Sequence, residues 1–174
     1  RIASVKRAWL FCEVAKRLPQ YEFYLVGQSQ IEKDRNEEIM APYRTGIPNL
    51  HFVGHLEGEE KFRRIREAKI LINTSIHEAL PVTFLEALAC GPLLVSRQNP
   101  DGMTSRFGIY TGPVLGDGFD KVDLFVDAVR TLIRDEARRK ELSAAAREYV
   151  KSVHGVGEFV RNTRRLIRET VRRG

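Results

Sequence analysis

Glu86 is the residue of this 174-residue sequence whose type and surroundings most clearly indicate chemistry. It is the one charged residue in the apolar stretch 81–90, where the pattern predicts a helix, and it shares a face with Val82, Leu85 and Ala89. Bulk water solvates a carboxylate poorly in such surroundings, so Glu86 needs hydrogen-bond donors. The vicinal hydroxyls of a ligand would supply two donors, and backbone N–H groups or an arginine are an equal alternative.

The start of the same helix is a candidate anion site. Pro81 suits the first helical position, whereas Leu80 before it has no side-chain acceptor that could cap the helix. The N–H groups of the first turn therefore lack an obvious partner, and the positive end of the helix dipole favours a phosphate or a sugar oxygen. Glu78 lies just ahead of this turn, in a loop where a ligand would lie.

The elements that must position these residues alternate between helix and strand. The pattern predicts helices at 5–18, 32–44, 59–68 and 81–90, and strands at 21–26, 50–53, 69–73 and 93–96. Short apolar strands separated by helices indicate an α/β fold, with a Rossmann-like parallel sheet covered by helices on both faces. Such a sheet binds ligands at the carboxyl ends of its strands, so the candidate loops are 27–30, 54–57, 74–80 and 97–104.

The chain after Gly118 is predicted to be helical, at 120–134, 136–153 and 156–173. We therefore expect one domain over 1–174, with an α/β core in 1–118 and a helical segment in 119–174. The last helix is amphipathic and carries much of the net charge of +6 through Arg161, Arg164, Arg165, Arg168, Arg172 and Arg173. A solvated helix face explains this charge most simply. A face for another domain or an anionic membrane is the main alternative, and nucleic-acid binding is a weaker one.

Other features of the sequence limit the classes of protein. No apolar run is long enough to span a membrane. The sequence starts at Arg1 instead of Met and no signal-peptide pattern follows, so we expect a fragment of a longer protein. Cys12 and Cys90 stand in apolar, helix-like stretches, away from histidines at metal-ligand spacing. They indicate two buried, reduced thiols, from which we expect a cytoplasmic protein.

The segment 73–92 resembles the donor-site signature of retaining glycosyltransferases with the GT-B fold, especially the large family 4. Its string NTSIHEALPVTFLEALACGP places Glu78 and Glu86 at E-x7-E spacing, after an aliphatic strand and before Gly-Pro and another strand. Three further matches follow the family's order: Arg1 and Lys6 at the spacing of its diphosphate-binding pair, an apolar strand ending in Gly27, and a Phe-x-Gly-x-Leu segment at 52–56. The resemblance covers residues 1–152.

This resemblance implies the C-terminal, donor-binding half of a GT-B fold and a role for each matching residue. Glu86 would bind the ribose hydroxyls, Glu78 would be the catalytic candidate at the donor sugar, and Arg1 and Lys6 would bind the diphosphate. The other donor contacts would come from Gly27, His55, Leu56, Ala79, Leu80, Pro81, Val82 and Thr83. A nucleoside-diphosphate sugar would be the substrate, without a cofactor or an essential metal, and an N-terminal acceptor-binding domain would complete the enzyme. A place at the inner face of the membrane is compatible with the basic last helix.

The chain departs from the family at three places. Ala79 and Leu80 stand where the family has Gly-Phe, which narrows the path to the backbone and bears on which sugar fits. Arg7 follows Lys6 where Gly is common, and the strand that precedes the family's Arg has no counterpart before Arg1.

Two alternative functions stay open. A sugar-nucleotide epimerase with the GT-B fold needs the same diphosphate and ribose contacts but no acceptor, and a non-catalytic α/β module would bind a ligand without using Glu78. His77 is a second candidate base beside Glu78. The stretch 99–102 is predicted as a turn, and its position at a strand end also makes it a candidate loop beside the sugar.

Overall fold

The computed structural model describes residues 2–28 and 36–171, which form an α/β fold. The strands are β1 (Phe23–Val26), β2 (Leu50–Gly54), β3 (Ile70–Asn73), β4 (Leu93–Ser96) and β5 (Gly108–Tyr110). The helices are α1 (Ala8–Arg17), α2 (Asn36–Met40), α3 (Gly58–Glu67), α4 (Val82–Cys90), α5 (Met103–Arg106), α6 (Val122–Arg134), α7 (Glu136–Val153) and α8 (Val156–Val171). Short 3-10 turns occur at Ser4–Lys6, Ala41–Tyr43, Pro100–Gly102 and Phe119–Lys121.

All the paired strands run parallel, as the sequence predicts. Within the described residues they form two sheets, one of β1 and β2 and one in the order β3–β4–β5. The segment before α1 joins the carboxyl ends of the two sheets. The Ile2 N–H donates to the Gln28 carbonyl at 3.0 Å, and the Ile76 N–H donates to the Val5 carbonyl at 2.7 Å. Arg1, before which the family has a strand, lies outside the described residues.

Strand β4 separates two apolar cores and thereby places helices on both faces of its sheet. All four of its residues are buried, and successive side chains of a strand point to opposite faces. Leu93 and Val95 pack in one core with buried side chains of α1 and α6. Leu94 packs in the other core with buried side chains of α4 and α7. The predicted Rossmann-like arrangement is therefore confirmed.

The first helix begins later than the sequence predicts. Ser4–Lys6 form a 3-10 turn, Arg7 has a left-handed backbone (φ 45°, ψ 50°), and α1 starts at Ala8. A left-handed backbone favours glycine, which gives a physical reason for glycine being common at this position in the resembled family. The consequence is that Lys6 lies in a turn at the carboxyl edge of the sheets instead of inside a helix.

The predicted loop at 97–104 contains structure that the sequence pattern did not indicate. Its 3-10 turn and α5 lead into β5, which pairs with β4. A Cβ on Gly108 would lie 1.8 Å from the carbonyl oxygen of Leu94, so this close approach of two backbones requires glycine. The helix predicted at 32–44 lies partly outside the described residues, and its described part is α2 followed by the 3-10 turn that contains Pro42.

The three C-terminal helices match the predicted ones closely. Helices α6 and α7 pack on the sheet, and Asp135 caps α7 by accepting a hydrogen bond from the Arg138 N–H at 2.9 Å. Helix α8 leaves its apolar stripe in solvent, with Phe159 70% and Val171 75% exposed. No helix in 2–28 or 36–171 is long and apolar enough to cross a membrane.

The two cysteines are free thiols. Cys12 is completely buried in α1, as predicted, and burial raises the pKa of its thiol to about 12. Cys90, at the end of α4, is only partly buried, so the prediction of a buried thiol is wrong at this position.

Candidate functional site

Hydrogen bonds fasten the turn that carries Lys6 to the loop that follows β3. The Thr74 hydroxyl donates to the carbonyls of Lys6 (2.8 Å) and Arg7 (3.1 Å), and Arg7 Nε donates back to the Thr74 carbonyl at 3.0 Å. The backbone bond between Val5 and Ile76 adds a further link. Two segments that lie far apart in the sequence therefore form one frame at the carboxyl ends of the strands.

Lys6 and Glu78 meet on this frame. Lys6 Nζ donates to Glu78 Oε1, and the two side chains are 33% and 17% exposed. Burial raises the pKa of Glu78, but hydrogen bonds from Lys6 and Ser75 and the positive charge of Lys6 outweigh it, so the pKa lies below the ordinary value of a glutamate. The structure thus brings together the residues that the sequence predicts for the diphosphate and for the sugar.

Glu86 is also held by a lysine, and this lysine was missed in the sequence. Lys61 Nζ, on α3, donates to Glu86 Oε1 at 2.6 Å. The Glu86 side chain is 17% exposed, so it is largely shielded from water but not sealed in the protein. Its apolar neighbours Val82 and Ala89 are exposed, because α4 buries a different face, that of Phe84, Ala87 and Leu88. Lys61 therefore supplies one of the hydrogen-bond donors that the sequence predicts Glu86 to need.

The first turn of α4 is open to solvent. Pro81 is buried and lies at the N-cap, whereas the sequence predicted it at the first helical position. No side chain caps the helix. Val82 is 67% exposed, and Thr83 beside it is exposed too. Ala79 is exposed and Leu80 is half-buried against the apolar core below α4. The first turn of α4, which follows Glu78 and precedes Glu86 in the sequence, therefore lacks a side-chain cap and carries exposed side chains, and the helix dipole favours an anion there.

The other predicted donor-binding residues lie at the same edge or outside the described residues. Gly27 follows β1, and its N–H donates to the Gly54 carbonyl at 2.7 Å. His55 and Leu56 follow β2 directly. His55 Nε2 lies 2.7 Å from Glu57 Oε1 at the surface, and the hydrogen bond and charge of His55 lower the pKa of Glu57. Arg1 lies outside the described residues.

Arg97 and Gln98, at the end of β4, support the loop that leads to Glu78. Arg97 Nη1 donates to the Ile76 carbonyl, and Gln98 Nε2 donates to the carbonyls of Ser75 (3.0 Å) and Ile76 (2.9 Å). Both residues belong to the candidate loop predicted at 97–104. In the sequence, a polar pair follows a buried strand, but nothing there indicates that the pair donates hydrogen bonds to the 75–76 backbone.

Arg7 supports the frame from inside the protein, and its role was also missed. It is completely buried, and its Nη1 donates to the carbonyls of Val114 (3.0 Å) and Gly116 (3.1 Å). Burial and the nearby charge of Arg97 lower the pKa of Arg7, while Asp117 raises it. The replacement of glycine by arginine was the signal that this position differs from the family.

The chemical capacity of this edge is to bind an anion and sugar hydroxyls side by side. It combines two lysines, two largely shielded carboxylates and an uncapped helix start, which suit phosphate oxygens and hydroxyl donors. His77 is exposed next to Glu78, and its charge helps to lower the pKa of that carboxyl. In the described parts of the chain, no three His, Cys, Asp or Glu residues are grouped closely enough to hold a metal ion.

The family model of glycosyl transferase-like proteins matches residues 6–163 of this chain. No curated protein sequence is similar enough to count as a match. The matched range includes Lys6, Glu78 and Glu86, and it ends within α8.

Solved structures share the fold at low sequence identity. Sucrose-phosphate synthase from Thermosynechococcus elongatus superposes with a TM-score of 0.78 at 19% identity, covering 100% of this chain and 44% of that one. HepE from Anabaena, solved in complex with UDP-glucose, has a TM-score of 0.64 at 16% identity, covering 87% and 42%. The pneumococcal O-GlcNAc transferase GtfA, solved with UDP and GlcNAc, has a TM-score of 0.60 at 18% identity, covering 88% and 34%. The chain therefore spans less than half the length of these proteins.

Proposed function

This chain belongs to the glycosyl transferase-like family, and we propose that it is the nucleotide-sugar-binding domain of a retaining glycosyltransferase. The observation that carries the proposal is the arrangement around α4. Glu78 and Glu86 lie before and within this helix, each is bonded to a lysine from another element, and the first turn of the helix is uncapped and exposed. The likeness to HepE and GtfA, which were solved with UDP-glucose and with UDP and GlcNAc, supports a sugar nucleotide as the ligand.

The proposed binding mode follows from the charge of each group. The diphosphate lies at the start of α4, where free N–H groups and Lys6 offset its negative charge. Glu86 accepts hydrogen bonds from the ribose, since a largely shielded carboxylate gains most from hydroxyl donors. Glu78 lies beside the donor sugar, and the backbone at His55 and Leu56 lies beside the base.

Donor binding is coupled to an exchange of partners at Lys6. In the structure this lysine is bonded to Glu78. A diphosphate carries more negative charge than one carboxylate, so Lys6 turns to the diphosphate and releases Glu78. The carboxylate then becomes free to accept a hydrogen bond from the sugar. In the glycosyl-transfer step, the same lysine and the helix start stabilise the charge that develops on the leaving diphosphate.

The complete enzyme needs a second domain that binds the acceptor. We propose that this domain is N-terminal to the present one, and that the enzyme is cytoplasmic. The exposed apolar stripe of α8 is available to this domain or to the inner face of an anionic membrane. Co-sedimentation with vesicles of phosphatidylglycerol distinguishes the two, because only a membrane-binding helix moves this chain into the pellet.

The test of the proposal is binding of nucleotide sugars to this chain. We expect saturation-transfer NMR with a panel of UDP-, GDP- and ADP-sugars to show binding of at least one of them. Glu86→Gln should weaken that binding by about 1–3 kcal/mol in calorimetry, because the amide offers one acceptor oxygen instead of two and leaves a ribose hydroxyl unpaired. Glu141→Gln, in the exposed pair with Arg138 on α7, is the matched control and should bind as the unsubstituted chain does.

Two results would count against the proposal. If no sugar nucleotide binds, or if Glu86→Gln binds as tightly as the control, the ribose assignment is wrong. The two alternative functions are distinguished by activity of an enzyme that also contains the acceptor-binding domain. An epimerase forms the epimer without acceptor, and a non-catalytic module keeps all its function in Glu78→Gln.

A further inference from the structure

Lys61 differs from the other paired cations of α3 because its partner lies on another helix. The other cations of α3 with ion pairs bond within the helix, Arg63 and Arg64 to Glu67 and Arg66 to Glu59. Lys61 instead reaches across to α4 and donates to Glu86 at 2.6 Å. It lies in the first turn of α3, directly after the 54–57 loop at the end of β2. Lys61 is thus placed between the loop proposed for the base and the acid proposed for the ribose.

Stability alone gives a weak reason for this ion pair. Helices α3 and α4 already contact each other through apolar side chains, since Ile65 and Leu85 pack against the same core. The side chains of Lys61 and Glu86 are 31% and 17% exposed, and an ion pair at such a site contributes little more than an apolar pair would. The packing of α3 against α4 therefore does not explain why a charged pair lies between them.

The hydrogen-bonding capacity of the pair provides one. An ammonium has three N–H donors and no acceptor, and a carboxylate has two acceptor oxygens and no donor. The observed contact uses one donor of Lys61 and Glu86 Oε1. A hydroxyl group, which accepts and donates at once, can bond to both residues simultaneously. Vicinal hydroxyls of a ribose match this combination.

We propose that Lys61 is a nucleotide-binding residue, whose ammonium donates to the oxygen of the ribose hydroxyl that in turn donates to Glu86. This inference rests on the proposed function, because it names a second ribose contact in the same site. Lys61 holds the Glu86 carboxylate in place before the ligand arrives, and it shares the carboxylate with the ribose afterwards. The pair therefore selects ribose over deoxyribose through two bonds to one hydroxyl.

The test compares ribose and deoxyribose ligands in calorimetric titrations of the chain. The ligand is whichever of UDP, GDP and ADP binds best, together with its 2′-deoxy and 3′-deoxy forms. We expect Lys61→Met to weaken binding of the ribonucleotide ~10-fold, the scale of one charged hydrogen bond, and to weaken binding of one deoxy form much less. Lys61→Arg should recover part of the loss, since it keeps a cationic donor. Arg63→Met removes a cation from the same helix and should leave both affinities unchanged.

Several outcomes would overturn the inference. Equal losses for the ribose and deoxyribose ligands would show that Lys61 acts through overall charge or through the position of α3. An unchanged affinity in Lys61→Met, while Glu86→Gln loses binding, would overturn the role of Lys61 and leave the proposed function standing. No binding of any nucleotide by the unsubstituted chain would overturn both. Circular dichroism at the temperature of the titrations should show Lys61→Met and Arg63→Met to be equally folded, which separates a loss of binding from a loss of folding.

Discussion

Replacement of Lys6 by methionine should destabilise the protein in a way that depends on pH. The substitution leaves the Glu78 carboxylate without its bonded cation, in a site where its side chain is only 17% exposed. Exposed ion pairs contribute below about 1 kcal/mol, and breaking a fully buried pair costs about 3–5 kcal/mol. The Lys6 side chain is 33% exposed, so this pair lies between the limits and nearer the first. We expect Lys6→Met to lower the free energy of unfolding at pH 7 by about 1–2 kcal/mol.

The sign of the pH dependence follows from the pKa of Glu78, which lies below its ordinary value in the folded protein. A carboxyl with a lowered pKa stabilises the fold above its unfolded pKa, about 4.3, and loses this contribution as the pH falls through the folded pKa. The difference between Lys6→Met and the unsubstituted chain should therefore be full at pH 7 and shrink below about pH 4.

Thermal melts followed by circular dichroism measure this difference. For a domain of this size, about 1 kcal/mol corresponds to ~2–4 °C in Tm, so Lys6→Met should melt roughly 2–8 °C lower at pH 7. Lys140→Met, which removes an exposed lysine paired with Glu136 on α7, should show no comparable loss. The reasoning is refuted if Lys6→Met melts with the unsubstituted chain at pH 7, or if its deficit stays constant down to pH 3.

Three further predictions concern the frame and the core. Gly108→Ala should lower the free energy of unfolding by more than about 2 kcal/mol in urea titrations, because its Cβ would lie 1.8 Å from the Leu94 carbonyl oxygen. A urea midpoint equal to that of the unsubstituted chain would contradict this. Arg7→Ala should lower the free energy of unfolding by about 2–4 kcal/mol, since it removes the hydrogen bonds of a buried guanidinium to the carbonyls of Thr74, Val114 and Gly116. A loss below about 1 kcal/mol would be too small for that role. Iodoacetamide at pH 8 should alkylate Cys90 before Cys12, whose buried thiol has its pKa raised to about 12, and mass spectrometry of tryptic peptides would reveal the opposite order.

The sequence was sufficient for the parts of the fold that depend on a repeating pattern. Strands such as Ile70–Asn73 and Leu93–Ser96 are apolar runs between turn residues, and α7 was predicted at its observed bounds. β5 has only three residues, which is too short for any period to show, and its pairing depends on the close approach at Gly108. The late start of α1 depends on a left-handed backbone at Arg7, whose side chain gives no local signal of that conformation.

The candidate site was predictable to the extent that its residues are close in sequence. Glu78, Glu86 and the uncapped start of α4 belong to one segment, so their spacing was informative. The lysine partner of Glu86 lies 25 residues away on another helix, and only the packing of α3 on α4 brings it into contact. The contact between Lys6 and Glu78 spans 72 residues, and the resemblance assigned both ends to the donor without indicating that they bind each other.

The hydrogen bonds between Thr74, Lys6 and Arg7 have a practical consequence for anyone who wishes to alter donor preference. They connect the loop that leads to Glu78 with a turn far upstream in the sequence, since Thr74 and Lys6 are separated by 68 residues. A 73–80 loop taken from another transferase would lack matching hydrogen-bond partners in the Ser4–Arg7 turn. A successful chimera would have to exchange the Ser4–Arg7 turn together with it, so the smallest unit of redesign here is discontinuous.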